Sequence, residues 1–294
     1  MPCFARQALE AARFVTGDTA IQERILREVL RTAAEADLRQ PPPVIGRHIH
    51  RRLRLLTGVT DPYREAKQRL NRLALDLLPG LARRVEACAV PFGFAVRLAI
   101  AGNIIDLGAK HGLAESEIAR SLDQVLEAPF TGDTETFRGA AAGARRILYL
   151  ADNAGEIVFD RLLIERLPQG RVTVAVRGAP VINDATLDDA YAAGIDEIAE
   201  VIDNGSDAPG TVLASCSPRF RRAFGEADMI AAKGQGNFET LNGVDANLFF
   251  LLKIKCPVVA AQTGLAAGTQ ALIHRGAPAG AGTAYGNCDF ESDS

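Results

Sequence analysis

The sequence predicts an α/β protein: a parallel sheet covered by helices on both faces, preceded by a helical subdomain. Three observations carry this. From Arg6 to about Ala87, apolar residues recur at helical spacing among Arg and Glu. Beyond that, "RRILYLAD", "RVTVAVRG", "EIAEVIDNG", "ADMIAAKG" and "CPVVAAQTG" are short apolar runs, each closed by a polar or glycine-rich turn. Helical patterns such as "GEIVFDRLLIERL" and "ATLDDAYAAG" lie between them, the alternation of a sheet whose strands are buried on both faces.

Taken in order, "RQALEAARFV" and "TAIQERILREVLRTAAEA" are the first helices, and the three prolines of "DLRQPPPVIGRH" interrupt them. Asp61-Pro62 restarts a helix, with an acid as N-cap and proline at the first helical position. The helical subdomain is therefore placed at residues 1–90 and the α/β domain at 91–294, with 91–140 as a helical connection. The last stretch, 275–294, is rich in Gly, Ala and Ser and reads as a mobile tail.

Composition narrows the class of function. With 294 residues, 48% of them hydrophobic, the chain can bury a substantial core. A net charge of −3 and the lack of a long basic run argue against nucleic acid or an anionic membrane as partner. Apolar stretches such as "ANLFFLL" are too short to span a bilayer, and the N-terminus lacks the order of a secretory leader. Five cysteines, scattered and without a CxxC pair, suit reduced thiols, so a cytoplasmic location is expected.

Ligands of open parallel sheets bind outside the carboxyl ends of the strands. Asp152-Asn153 follows the first strand and Asn183-Asp184 follows the second. Each pair suits a helix cap, and Asn153 with Glu156 has capping-box spacing. Adjacent parallel strands lie about 4.8 Å apart, so two such pairs also suit a shared hard cation, Mg²⁺ or Mn²⁺. No histidine stands in these turns, which argues against an imidazole zinc site.

Other candidates surround this pair. "NGSDAPGTVL" offers Gly205, Ser206, Gly210 and Thr211 as an anion cradle, although the local pattern by itself favours a plain turn. "KGQGN" places Lys233, Gly234 and Asn237 after a strand, with the lysine expected to point toward the cation. Lys253 and Lys255 share one face by period two, which would bring at least one to the site. Asn103 and Asp106 lie a helical turn apart in "AGNIIDLG", as a local cap or as groups reaching the ligand end of the sheet.

"DNAGEIVFD", "INDAT", "KGQGNFE" and "LLKIKCPVVA" resemble the damage-control, metal-dependent phosphatase family first catalogued as a domain of unknown function. "AGNIIDLG", "PCFARQALEAAR" and "TGVTDPYREAKQRLN" resemble its prokaryotic branch, which usually opens with two cysteines two residues apart; of that pair only Cys3 stands here. The resemblance covers nearly the whole chain. It implies a helical domain on a three-layer α/β/α Rossmann-like domain and a divalent metal, Mn²⁺, Ni²⁺, Co²⁺ or Mg²⁺. It implies Asp152, Asn153 and Asp184 as metal ligands and Lys255 on the phosphate. Asn103, Asp106, Lys233 and Asn237 would line the pocket. A eukaryotic relative is described as an acidic-residue methyltransferase, but no glycine-rich loop for adenosylmethionine is present.

The expected function is hydrolysis of small phosphomonoesters, sugar phosphates or damaged phosphometabolites, through a metal-polarised phosphoryl group. Asp152, Asn153, Asp184 and Lys255 would form its catalytic set, with Ser206 and Gly234 on the phosphate. The alternative is a sensor that binds metal and phosphometabolite without turnover. A dinucleotide oxidoreductase fits poorly, because Asp-Asn-Ala-Gly replaces the expected glycine fingerprint.

Overall fold

The computed structural model describes residues 2–102, 123, 124 and 126–276. Helices α1 (Pro2–Val15), α2 (Thr19–Glu35) and α3 (Pro42–Thr57) come first. Asp18 starts α2 by accepting the N–H groups of Ala20 and Ile21. Helix α3 begins inside the proline run, where a missing N–H costs nothing, and stops at Gly58 in the left-handed conformation. Ala8, Ala12, Ile25, Val29, Ile45, Ile49 and Leu53 close a small core of their own, joined by Tyr63.

Helices α4 (Arg64–Ala87) and α5 (Pro91–Ala101) belong to a different core. Leu70, Ala74, Leu81 and Val85 of α4 pack with the sheet and not with α1–α3. The two cores therefore part near Tyr63, whereas the sequence had grouped α4 with the first helices. Asp61 does not cap the helix as expected: it accepts the Tyr63 N–H at 3.0 Å in a turn that also holds Pro62, and α4 starts only at Arg64, with Tyr63 at its N-cap.

The described residues form a seven-stranded sheet: β1 (Phe130–Thr131), β2 (Ile147–Leu150), β3 (Val172–Val176), β4 (Glu200–Asp203), β5 (Met229–Lys233), β6 (Leu248–Lys253) and β7 (Gln270–Arg275). Their order is β1-β7-β6-β5-β2-β3-β4, and only β6 and β7 run antiparallel. Period two sorts the side chains. Ile147, Tyr149, Val174, Met229, Ala231 and Phe249 face α4, α5, α6 (Thr134–Gly143) and α7 (Glu156–Ile164). Leu148, Leu150, Ala175, Ile230, Ala232 and Phe250 face α9 (Pro218–Glu226), α10 (Gly234–Leu241) and α11 (Pro257–Thr263). A short helix, α8 (Leu187–Ala192), follows β3. Each large apolar side chain so buried contributes about 1.5–3 kcal/mol, which makes this the expected α/β/α sandwich with a mostly parallel sheet.

Two expectations are corrected. "CPVVAAQTG" is not a strand: Pro257 lacks a ladder donor and sits at the first position of α11. The strand lies just before it, in "LFFLLK". Arg275 ends β7 and is not part of a tail, and residues 277–294 lie outside the described ones. No helix among the described residues is long and apolar enough to cross a membrane.

Candidate active site at the sheet switch point

Strand β2 pairs with both β3 and β5, so the chain winds outward through β4 and then reverses to the other side of β2. The crevice at such a reversal is where open α/β sheets bind ligands. In this topology the switch point falls where the loop after β2, with Asp152, meets the loop after β5, with Gly234.

Backbone pairing brings the first candidates together. The Ala154 N–H donates to the Asn183 carbonyl at 2.9 Å and the Ala185 N–H to the Asp152 carbonyl at 2.8 Å, a bridge that sets Asn153 beside Asp184. Helix α4 presses on the same loop. The Gly155 N–H donates to Asn71 Oδ1 at 2.6 Å, and a Cβ at Gly155 (φ +74°) would meet Leu70 at 3.0 Å. Asn71 is itself fixed by donating to Asp189, which also takes Lys67. Gly234 (φ +76°) has a sharper reason to be glycine, because a Cβ there would lie 2.0 Å from Asp152 Oδ2.

Two buried cations then organise the acids. Arg177, at the end of β3, donates from Nε to Asp184 Oδ2 at 2.6 Å and holds Nη2 3.6 Å from Asp152 Oδ1. One guanidinium thus spans both carboxylates. Lys233 is fully buried and places its ammonium 2.5 Å from Glu156 and 2.6 Å from Asp160. Asn153 Nδ2 joins the two groups by donating to Asp152 at 2.7 Å and to Glu156 at 3.1 Å. Asn153 is therefore a bridge between acids and not a capping-box partner; Gly155 occupies the N-cap of α7.

The electrostatics leave an excess of negative charge. Burial, then the neighbouring charges of Asp184 and Glu156, push the Asp152 carboxyl up to about 7 against Arg177 and Lys255. Burial also raises Asp184, with Arg177 opposing. Asp160 is pushed up to about 6 by burial, although Lys233 pulls it down. Burial opposes ionisation of Glu156 too, yet Lys233 and Asn153 keep its carboxyl below the ordinary value.

The remaining candidates fall variously. Lys255 is exposed just beyond β6, and its charge acts on both Asp152 and Glu156. Lys253 is half-buried at the end of β6. Asn237 is buried, donating to the Lys233 carbonyl at 2.7 Å and accepting from Thr211 at 2.8 Å, so it braces the start of α10. Lys233 does not point to a ligand: β5 directs it under the sheet toward α7, where two acids hold it.

Ser206 is likewise engaged internally. Its hydroxyl lies 2.8 Å from Ser215 Oγ and accepts the Ala208 N–H, while the Gly205 and Ser206 N–H groups donate to Asp203 and Asn204. Of the two readings of this stretch, the plain turn is the one that forms, with its polar groups satisfied internally. Its Asp207 carries an internal ion cluster instead, receiving Arg47 at 2.7 Å, Arg51 at 2.7 Å and Arg54 at 2.5 Å, all from α3. Asn103 and Asp106 lie outside the described residues.

Arg177, Asp160 and Asn71 were not singled out in the sequence, and Glu156 only as a capping-box partner. A signal existed for two of them: Glu156 and Asp160 are one turn apart in a helix whose other residues, Arg161 excepted, are apolar, the face that must meet β2 and β5. Among the described residues no cluster of three His, Cys, Asp or Glu side chains is gathered as a metal site. The donor set offered is two aspartates and one asparagine, all oxygen, which suits a hard cation whose other ligands come from water or substrate.

Fold and site together define an α/β/α protein with an acidic, oxygen-rich centre at its switch point. The chain belongs to the damage-control phosphatase ARMT1-like domain family, whose model matches residues 1–271. It is 37% identical over 273 residues to a damage-control phosphatase of Archaeoglobus fulgidus, covering 90% of this chain and 94% of that one. A damage-control phosphatase of Pyrococcus horikoshii is 34% identical over 266 residues, covering 88% and 91%. An uncharacterized protein of Methanocaldococcus jannaschii is 33% identical over 289 residues, covering 93% of each. The crystal structure of a P. horikoshii protein of the DUF89 family superposes with a TM-score of 0.85 at 32% identity, covering 93% of this chain and 96% of that one.

Proposed function

We propose that this protein is a cytoplasmic, divalent-metal-dependent phosphatase of small phosphomonoesters, sugar phosphates or damaged phosphometabolites. The observation that carries this is the under-neutralised pair Asp152 and Asp184, bridged by one guanidinium at the sheet switch point. The relatives named damage-control phosphatases support hydrolysis of phosphate esters as the reaction class.

Asp152, Asn153 and Asp184 would hold Mn²⁺, Ni²⁺, Co²⁺ or Mg²⁺, which when bound polarises a phosphoryl oxygen and lowers the pKa of the attacking water. The rest is done by the chain itself. Arg177 fixes the Asp184 carboxylate, and Asn153 is oriented through Glu156, which Lys233 anchors from below. Lys255, exposed and electrostatically coupled to Asp152, offsets charge on the phosphoryl group as it transfers. Gly234 lets α10 begin directly over Asp152, so substrate oxygens meet a helix N-terminus there.

Release of phosphate from p-nitrophenyl phosphate should stop after dialysis against a chelator and return with Mn²⁺ or Co²⁺. Asp152→Ala should lower metal occupancy and cut turnover at least about 100-fold. Undiminished turnover by the stripped protein refutes the metal role. Tight binding of sugar phosphates without phosphate release would instead support a sensor.

A further inference from the structure

Ile182 is the one non-glycine residue with positive φ among the described residues, at +47°. The Asp184 N–H donates to the Val181 carbonyl at 3.1 Å, so residues 181–184 form a turn with Ile182 at its first central position. That position favours Gly or Asn, and a β-branched side chain is an outlier there. A strained residue persists only where its surroundings over-determine it, and such residues concentrate at functional sites.

The surroundings come from the helical bundle. The Ile182 side chain is half-buried against the α1–α3 core, and with Leu53 and Tyr63 it lines a small cavity there. Val181 is buried at its side. Arg54 of α3 donates to the Pro180 carbonyl at 2.9 Å, gripping the turn from its other end. Two residues further on stands Asp184, held by Arg177. The turn that carries a proposed metal ligand is thus clamped by a bundle that lends no other residue to the ligand set.

We propose that Ile182 is a positioning residue, the apolar peg by which the α1–α3 bundle holds the 181–184 turn, and with it Asp184, in the geometry of the metal site. The inference rests on the metal site proposed above. The bundle then acts as a clamp on the active site. A side chain that merely filled space could be glycine or asparagine at this φ with less strain. Isoleucine is informative because it gives up backbone comfort for an anchor in the other core.

The test measures Mn²⁺ affinity by calorimetry and exchange of the Asp184 amide in the full chain, for wild type, Ile182→Val, Ile182→Asn and Ile182→Gly. Valine keeps the peg and should bind Mn²⁺ within about twofold of wild type. Asparagine and glycine suit the turn but lose the peg; both should bind at least about tenfold more weakly, with faster Asp184 amide exchange. Asparagine guards against a glycine variant that fails to fold. Lowered thermal stability with unchanged Mn²⁺ affinity and amide exchange would make Ile182 structural only and overturn the proposal. A wild type that binds no Mn²⁺ overturns the metal reading and this one with it. A wild type that binds, with variants that match it, overturns this one alone.

Discussion

Asp152 and Asp207 both follow parallel strands of one sheet, β2 and β4, yet their surroundings drive them in opposite directions. Asp207 receives three guanidiniums from α3, and although burial opposes its ionisation, Arg51 and Arg47 hold the carboxyl well below the ordinary range. Asp152 shares a single, more distant guanidinium with Asp184, and burial with its acidic neighbours raises it to about 7. The first acid is over-neutralised and fastens the helical bundle to the sheet. The second is under-neutralised by the groups around it. An acid with its charge satisfied is structure; an acid held at a cost is a candidate site.

The largest expected effect breaks the first side of this contrast. Among the described residues Asp207 is the acid that Arg47, Arg51 and Arg54 share, so Asp207→Asn leaves three guanidiniums facing a neutral amide. Stripping one partner from a buried ionic cluster costs on the order of 3 kcal/mol. Thermal melts should show a clear fall in Tm, and an unchanged Tm would mean the cluster contributes nothing net.

A smaller effect of opposite sign is expected at the other acid. In metal-free protein near pH 8, Asp152→Asn removes a buried charge that the fold does not balance. Stability should rise by about 1 kcal/mol or hold, even as metal affinity is lost. A Tm loss comparable with that of Asp207→Asn would show that Asp152 is a structural acid after all.

The contrast was only partly legible in the sequence. Strands β2, β3, β4 and β5 declare themselves because each is a short apolar run ended by a polar turn. Placing Asp152, Asn153 and Asp184 together needed only that their strands be neighbours. Strand β6 stayed hidden because "LFFLLK" has no alternation, being buried on both faces, and the proline after it drew the boundary to the wrong place. Side-chain partners were the main loss. Lys233 shares its strand face with Met229 and Ala231, so period two already sends it under the sheet toward Glu156 and Asp160. Nothing local says that Asp207 will meet α3, about 150 residues away in the chain, because that contact depends on how two cores dock.

The finest test reads both acids from one pH series, and the signs differ. For Asp207 the folded carboxyl is depressed, so its contribution is present above the unfolded value near 4 and is lost as pH falls toward the folded one. For Asp152 the folded carboxyl is raised to about 7, so its contribution is whole below about 4 and is lost as pH rises from there through 7. Asp160, raised to about 6, acts in the same sense, while His50, lowered to about 4 chiefly by burial, acts in the opposite one. Difference curves against wild type cancel these bystanders. The Tm deficit of Asp207→Asn should shrink toward zero on acidification below pH 4, and the advantage of metal-free Asp152→Asn should grow between pH 4 and 7. Saturating Mn²⁺ should reverse that second curve, because only the wild-type acid gains a cation. Two parallel difference curves would mean that both acids are neutralised alike and that the switch point holds no unmet charge.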